Sequence, residues 1–368
     1  TVNNGTIAGG VQLASGGSNT FNGVTLDTDL TVLNGMTLTL LNGLTLANGH
    51  SLTLAGAGNN TYLQFNGSQT IGGSGEIVFG GTAAGNAVVP TAANTTLTLG
   101  SGVTVHGSQN GTFRDFTGLA GIDTSYVNQG IIDADTAGKS ISLYGNWSNT
   151  GTLGASAGTL NMNGINWVND GLFEVSNGTL NLGGTFTIAG LGAFNRTGGT
   201  VQLTGWWDFS GGTLDLAAAP IPGEWTINAG ALKNVTLISS DPSKVLASTG
   251  GNFSSLDNVT IGSDLTTSGI WNIHNGLDLA DGVTLSASTS RYDFQGGGTQ
   301  AVNVLPKPDA SPGTATISLA GGQINNPVSN QTLILGNGLT VNGYGRVGDN
   351  SSNASTLINV GVIDANVA

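Results

Sequence analysis

Three histidines are the first residues to consider for acid–base or metal chemistry: His50, His106 and His274. Their spacing matches neither His-x-His nor His-Glu-x-x-His, the arrangements that bring imidazoles together on a metal ion. The chain also lacks cysteine, which excludes thiolate ligands and disulfides. We therefore interpret the histidines as solvent-facing or turn residues, and the sequence predicts no cofactor.

Closely spaced aspartates are the second candidates for chemistry. They form three pairs, namely Asp27 with Asp29, Asp133 with Asp135, and Asp278 with Asp281. Two neighbouring carboxylates can act as acid and base on a polysaccharide, or can bind Ca²⁺. However, Asp29 recurs later in the chain as Asp264, and Asp133 recurs as Asp364. A recurring carboxylate suits a turn better than a unique active site. We predict no catalytic residue and no resident metal, with incidental Ca²⁺ binding as the alternative.

The tryptophans could stack on sugars or fill the interior of a wide fold. They are Trp147, Trp167, Trp206, Trp207, Trp225 and Trp271. Successive residues of a strand point to opposite faces, so one ring of the Trp206–Trp207 pair should be exposed. We predict packing roles for most of these rings, and we keep glycan contact at Trp206 and Trp207 as an alternative.

Two further motifs have structural interpretations. The Thr-x-Thr pairs at 37–39 and 96–98 are too sporadic for an ice-binding face, which needs such pairs in successive coils. Asn4 and Asn177 begin glycosylation motifs, but the same residues are typical of a turn that enters a strand. We interpret both asparagines as turn residues.

A repeat of 20 to 21 residues organises the middle of the chain. Residues 158–162 return as 178–182 and then as 199–203. Each copy alternates apolar and polar residues, which is the periodicity of a strand. Asn-Gly, Asp-Gly and Gly-Gly pairs separate the strands, and no stretch has the apolar spacing of a helix. The repeat predicts one β-coil per unit, with about 16–18 coils of 20–22 residues in a parallel β-solenoid.

A second repeat, about 231–236 residues long, relates the two parts of the chain. Four segments match in order: 21–30 with 256–265, 42–47 with 275–280, 99–105 with 335–341, and 128–134 with 359–365. The Pro-rich stretch 305–313 is the kind of loop insertion that would make the shift vary. We predict a first super-repeat over 1–230 and a partial second one over 231–368. Because the ends are out of phase with this repeat, we expect a segment of a longer array.

Composition narrows the class of protein further. Of 368 residues 62 are glycine, 8% are charged, and the net charge is −13. An acidic chain with eight Lys and Arg offers no basic surface to nucleic acid. No apolar run approaches the roughly 18 residues of a membrane helix, so we expect no membrane insertion. High Gly, Asn and Thr with scarce Lys favour an extracellular bacterial protein.

Several motifs resemble the β-strand repeats of giant bacterial surface and secreted proteins, the group of filamentous-haemagglutinin-like adhesins and autotransporter passenger domains. The resemblance covers the whole chain and is carried by 178–186, by 194–203, by the strand entry at Asp264, and by the Asn-x-Gly-x-Ile-Asp motif at Asn128 and Asn359. It implies a right-handed parallel β-helix that is exported to the cell surface and serves as an adhesin, stalk, matrix or fibre.

We therefore predict a non-enzymatic structural protein, a fibre, stalk or adhesin segment that self-associates end to end or continues into further repeats. The alternative is a carbohydrate-active or carbohydrate-binding β-helix that contacts surface glycans.

Overall fold

The computed structural model describes residues 1–15, 19–115, 124–249, 253–348 and 354–365. These residues form strands and turns, and they contain no helix. The paired strands run parallel and stack coil on coil into a β-solenoid of about 15 turns. The predicted all-β solenoid is confirmed. The described part of the chain therefore also has no helix that could cross a membrane.

The number of turns is slightly below the predicted 16–18 because several coils are longer than the predicted 20–22 residues. The register of paired strands sets coil length at 17 residues between Ser254 and Trp271, but at 33 residues between Thr299 and Thr332. The longest coils carry loop insertions, and the Pro-rich stretch 305–313 is one of them, lying between two strands as predicted.

The chain divides into two compact units, Thr1–Gln202 and Leu203–Ala368. Their boundary reflects contacts, whereas the predicted division at residue 230 reflects sequence repetition, so the super-repeat stays a prediction. The strands that begin in the N-terminal unit are β1 Val2–Ala8, β2 Asn19–Asp27, β3 Leu30–Leu33, β4 Thr37–Leu46, β5 Ser51–Gly56, β6 Thr61–Phe65, β7 Gln69–Gly73, β8 Glu76–Gly81, β9 Asn86–Pro90, β10 Thr96–Leu99, β11 Thr104–His106, β12 Gly111–Phe113, β13 Ser125–Asn128, β14 Ile131–Asp133, β15 Ser140–Leu143, β16 Asn146–Asn149, β17 Thr152–Ala155, β18 Thr159–Met162, β19 Val168–Asn169, β20 Leu172–Val175, β21 Thr179–Leu182, β22 Thr185–Thr187, β23 Ala193–Arg196 and β24 Thr200–Leu203.

Most coils of the N-terminal unit contribute one strand to each of three stacks. Within this unit, stack A contains β6, β9, β12, β15, β18, β21 and β24, and stack B contains β7, β10, β13, β16 and β19. Stack C consists of β3, β5, β8, β11, β14, β17, β20 and β23. Strand β4 belongs to two stacks, since its first half pairs with β6 and its second half with β7.

The bend in β4 follows from its sequence. Asn42 and Gly43 have φ values of 54° and 89°, in the left-handed region that Asn and Gly tolerate best. At this point the strand turns from stack A to stack B. Asn275 and Gly276, the residues matched to them by the long repeat, have φ values of 59° and 83°.

The C-terminal unit is built in the same way. Its strands are β25 Trp206–Asp208, β26 Thr213–Asp215, β27 Trp225–Ile227, β28 Ala231–Ile238, β29 Val245–Ala247, β30 Ser254–Ile261, β31 Leu265–Ser268, β32 Ile270–Leu279, β33 Thr284–Ser288, β34 Arg291–Phe294, β35 Thr299–Val304, β36 Ala315–Asn325, β37 Thr332–Leu335, β38 Leu339–Val347, β39 Thr356–Asn359 and β40 Val362–Asp364. Strand β32 bends at Asn275 and Gly276, pairing with β34 before the bend and with β35 after it. Strand β36 likewise pairs with β33 through its first half and with β34 through its second half.

The core lies inside the coils, where alternate residues of each strand point. In stack C, Ile132, Leu153 and Phe173 lie one above another with at most 1% of their surface exposed. Burial of such a side chain stabilises the fold by roughly 1.5–3 kcal/mol. Each coil therefore depends on its neighbours to cover its apolar face, which leaves the outward positions for polar side chains.

Candidate functional site

The first aspartate pair lies at a corner beside His50. The imidazole nitrogens of His50 lie 3.6 Å from Asp27 and 3.4 Å from Asp29. Asp29 also accepts a hydrogen bond of 2.9 Å from the backbone N–H of Ser51, on the following coil. This backbone hydrogen bond lowers the pKa of Asp29 below its ordinary value, and the His50 ring adds to the effect. The pair therefore ties one coil to the next.

His106 contacts carboxylates on both sides. Its Nδ1 lies 2.8 Å from Asp135, and its Nε2 lies 3.4 Å from Glu76. Glu76 belongs to the coil before His106 and Asp135 to the coil after it, so the imidazole spans three coils. The prediction of a solvent or turn histidine missed this arrangement, because its partners lie 29 and 30 residues away.

The other paired aspartates bind neighbouring coils as well. Asp133 accepts hydrogen bonds from the Ser156 backbone N–H (3.1 Å) and the Ser156 hydroxyl (2.7 Å). Asp281 accepts from the backbone N–H of Thr314 at 2.8 Å, and Asp278 accepts from a side-chain amide at 3.0 Å. The paired carboxylates therefore have structural partners.

Asp264, the residue matched to Asp29 by the long repeat, has the same kind of partner. It accepts a 2.7 Å hydrogen bond from the backbone N–H of Thr284, the first residue of β33. Asp29 makes the corresponding bond to Ser51, the first residue of β5. The interpretation of Asp29 and Asp264 as turn residues was incomplete. Each carboxylate accepts a hydrogen bond from the first residue of a strand in the next coil.

The histidine and aspartates singled out as candidates for chemistry contact other coils of the solenoid. Both ring nitrogens of His106 contact carboxylates of neighbouring coils, Asp135 at 2.8 Å and Glu76 at 3.4 Å. Among the described residues, no group of three or more His, Asp or Glu side chains is arranged to hold a metal. Asp133 and Asp135 bond to opposite neighbouring coils, Asp133 to Ser156 on the next coil and Asp135 to His106 on the previous one.

The two adjacent tryptophans differ sharply in exposure. Trp206 is 41% exposed, whereas Trp207 is fully buried. The expectation that one ring of the pair is exposed is confirmed. The alternative of glycan contact at Trp207 is wrong, because strand alternation directs its ring into the core. There the ring centroids of Trp207 and Phe209 lie 4.5 Å apart. Only Trp206 of this pair is available to a ligand.

Packing accounts for most of the other tryptophans. Trp147, Trp167 and Trp271 are buried, as predicted. Trp147 stacks on Tyr126 at 4.8 Å, and Trp167 stacks on Phe186 at 4.3 Å, each with a ring from another coil. Trp225 is the exception, since it is half-buried and lines a surface cleft.

The threonine motif and one of the two asparagine motifs agree with their structural interpretations. Thr37 faces Tyr62 and Thr39 faces Gln64 on the next coil, so this Thr-x-Thr pair is not repeated there. Asn177 lies in the bend just before β21, as expected of a residue that enters a strand. Asn4 instead lies inside β1, where its φ of 44° bends the strand.

A column of buried asparagines was missed in the sequence. Asn128, Asn149 and Asn169 end successive strands of stack B, and each is at most 1% exposed. The Asn128 amide donates to the Asn149 oxygen at 2.7 Å, and the Asn149 amide donates to the Asn169 oxygen at 2.6 Å. Asn128 and Asn149 also donate to the carbonyl two residues ahead. The signal was an Asn-x-Gly recurring at the coil period.

A second buried polar group lies in the C-terminal unit. The Thr267 hydroxyl lies 2.9 Å from the Ser290 hydroxyl and also contacts the Tyr292 hydroxyl. All three residues are at most 1% exposed, and burial raises the pKa of Tyr292 above its ordinary value. The three hydroxyl groups satisfy one another inside the solenoid, where they are buried from solvent.

Comparison of the chain with models of known families, with curated proteins and with solved structures finds no match. The resemblance to adhesin and autotransporter repeats stays an expectation, and any proposal about function has to rest on the geometry described above.

Proposed function

We propose that this chain is a non-enzymatic structural segment, a β-solenoid that forms part of a fibre, stalk or adhesin outside a bacterial cell. The observation that carries this proposal is the use of its acidic and imidazole side chains. Asp29, Asp133, Asp264, Asp281 and His106 all bind residues of neighbouring coils. Side chains used in this way stabilise the stack of coils.

Repetition at the level of backbone and side chain supports the same proposal. The Gly43 N–H donates to the Gln69 side chain at 3.0 Å, and the Gly276 N–H donates to the Gln300 side chain at 2.7 Å. A bend with the same hydrogen bond in both units is typical of a repeat protein, in which successive units form the same contacts. A unique ligand site would require no such repetition.

The partners we propose are further coils, from a second copy or from continued repeats. The inward-facing residues of the last described coil include Leu357 and Ile363, which are 37% and 46% exposed. They pair in register with Leu333 and Val341, which are at most 2% exposed. A coil stacked on this edge would cover Leu357 and Ile363 and would pair the open strands.

The location is proposed from composition. No cysteine, few lysines and 62 glycines suit an exported bacterial protein, as does the resemblance to surface repeats. A net charge of −13 would limit lateral association by mutual repulsion.

Electron microscopy of the source material, without added ligand, tests the proposal. We expect filaments or long stalks with an axial repeat of about 4.8 Å, the spacing of stacked strands. Immunogold labelling with an antibody against this chain should decorate them on the cell exterior. Discrete short particles, or labelling confined to the cell interior, would contradict the proposal.

The alternative of a carbohydrate-active enzyme has less support, because its candidate carboxylates have protein partners. It predicts turnover of an acidic polysaccharide that is lost when Asp133 and Asp135 are both replaced by Asn. Such turnover by the purified protein, measured as release of reducing ends, would favour the enzyme over the structural role.

A further inference from the structure

A surface cleft in the C-terminal unit opens between β27 and β29. In the described part of the chain they meet at an isolated bridge between Ile227 and Ser248, the residue after β29, where the Thr249 N–H donates to the Ile227 carbonyl at 2.8 Å. Towards Trp225 the strands separate and leave a shallow, open cleft of about 70 Å³, which exposes one side of Trp225 and does not enclose a ligand. One wall includes Glu224 and Trp225, and the other consists of 244–247.

The indole of Trp225 is held in place at this cleft. Its ring meets the ring of Trp207 edge to face, with centroids 6.0 Å apart and planes at 70°. Trp207 is fully buried and packs on Phe209 in turn. A half-buried indole that is already fixed by its neighbours loses little conformational entropy when it binds a ligand. It can therefore present an apolar surface to the C–H face of a sugar ring.

Two opposite charges stand beside the indole. The Lys244 ammonium lies 3.5 Å from the Glu224 carboxylate, with side chains that are 43% and 92% exposed. An ion pair this exposed contributes at most about 1 kcal/mol, so rearranging it on binding costs little. Its ammonium can donate hydrogen bonds to sugar hydroxyls, and its carboxylate can accept them.

The segment before Trp225 is well anchored. Ile221 is 2% exposed and lies between Pro220 and Pro222, whose rings restrict the backbone. The buried isoleucine holds this segment against the core, so the cleft wall is formed before any ligand arrives.

We propose that this cleft binds a pyranose ring of a polysaccharide. Trp225 stacks on the face of the sugar, while Glu224 and Lys244 bind its hydroxyl groups. This site can be tested separately from the proposed structural role, because none of its residues belongs to the edge at which we propose that further coils stack. It also provides an aromatic platform for a glycan where buried Trp207 cannot.

Titration with defined oligosaccharides tests the proposal. The purified chain is titrated with cellohexaose, laminarihexaose, chitohexaose and hexagalacturonic acid, and indole N–H signals are followed by NMR. We expect at least one oligosaccharide to shift the Trp225 signal, which the Trp225→Phe variant identifies. Affinity for that oligosaccharide should fall at least tenfold in Trp225→Ala, and it should be unchanged in Trp206→Ala, the matched exposed tryptophan.

Circular dichroism shows whether Trp225→Ala folds. If it does not, substitution of the two exposed charged residues provides a second test. Glu224→Gln and Lys244→Met should each weaken binding about threefold or more without changing the thermal midpoint. The proposal is overturned if none of the four oligosaccharides binds at millimolar concentration, or if binding is unchanged in both exposed variants. Neither result would affect filament formation, so the two proposals can fail separately.

Discussion

The side chain of Asn149 is enclosed by two neighbouring coils and forms hydrogen bonds with both. It accepts from Asn128 and donates to Asn169, and it also donates to the Gly151 carbonyl. Inside a protein, such a bond matters most when one partner is removed, because the other is left buried and unsatisfied. At the scale of single residues, the asparagine column therefore carries more of the stability than the exposed carboxylates do.

Replacement of Asn149 by Ala tests this column. The free energy of unfolding should fall by about 2–4 kcal/mol, since the Asn128 amide and the Asn169 oxygen both lose a partner. Denaturant unfolding followed by circular dichroism measures the change. Asn161→Ala is the matched control, because Asn161 bonds Ser142 and Asn181 from a half-buried outward position. An equal loss in both variants would contradict the special role of the buried column.

Asp29 provides a prediction about pH. Its folded-state pKa is lowered, chiefly by the hydrogen bond from the Ser51 backbone. The stabilisation is therefore fully present above the unfolded pKa of about 4, and it is lost as the pH falls through the lower folded value. Asp29→Asn should unfold at a lower temperature than the native chain at pH 7. The difference should disappear near pH 2.

The size of this effect is small because Asp29 is exposed, with 73% of its side chain accessible. We expect less than about 1 kcal/mol at pH 7. Asp264→Asn, which replaces the carboxylate that accepts the matching bond from Thr284, should also lower the thermal midpoint slightly at pH 7. A difference that persists unchanged at pH 2 would show that ionisation of the carboxylate is irrelevant.

At the scale of strands, the sharp bends depend on residues with positive φ and on the space beside them. Gly49 and Gly73 both have positive φ, 78° and 90°. A side chain at Gly49 would meet nothing within 4 Å, whereas a Cβ at Gly73 would overlap the Leu46 carbonyl of the previous coil. Close stacking therefore demands glycine at some corners, and backbone strain alone favours it at others.

Alanine substitution separates these two effects. Gly49→Ala should cost about 1–2 kcal/mol, the cost of a left-handed conformation for an L-residue. Gly73→Ala should cost about 3 kcal/mol or more, because the coils must also move apart. Thermal unfolding of both variants provides the comparison. Equal losses would mean that the stack adjusts freely around Gly73.

At the scale of the whole molecule, the proposed stacking of further coils can be tested at the exposed edge of the last described coil. Leu357 and Ile358 are adjacent in β39 and similarly exposed, at 37% and 43%. Leu357 pairs in register with fully buried Leu333 and points inward, whereas Ile358 pairs with half-buried Ile334 and points outward. The two residues form a matched pair for testing the proposed stacking.

A charge on the inward position should prevent stacking. Leu357→Lys places an ammonium where another coil would cover it, so concentration-dependent assembly should be lost. Ile358→Lys keeps its charge in solvent and should assemble like the native chain. Analytical ultracentrifugation and electron microscopy measure the assembly. Equal assembly by the two variants would contradict stacking through this edge.

Local sequence was sufficient for the elements of this fold. Alternation of apolar and polar residues predicted strands, and pairs such as Asn42-Gly43 marked the bends, because both signals depend on neighbours along the chain. The same alternation predicted that one of Trp206 and Trp207 would be exposed. The 20–21 residue period predicted the coils, although insertions made several of them longer.

Contacts between coils were decided only by the tertiary structure. His106 meets Glu76 and Asp135 because the lengths of the intervening coils bring residues 29 and 30 positions apart side by side. The asparagine column and the cleft at Trp225 depend in the same way on strand register and on where two strands separate. Spacing in sequence predicts a coil, but only the summed length of its strands and loops determines which side chains meet across it.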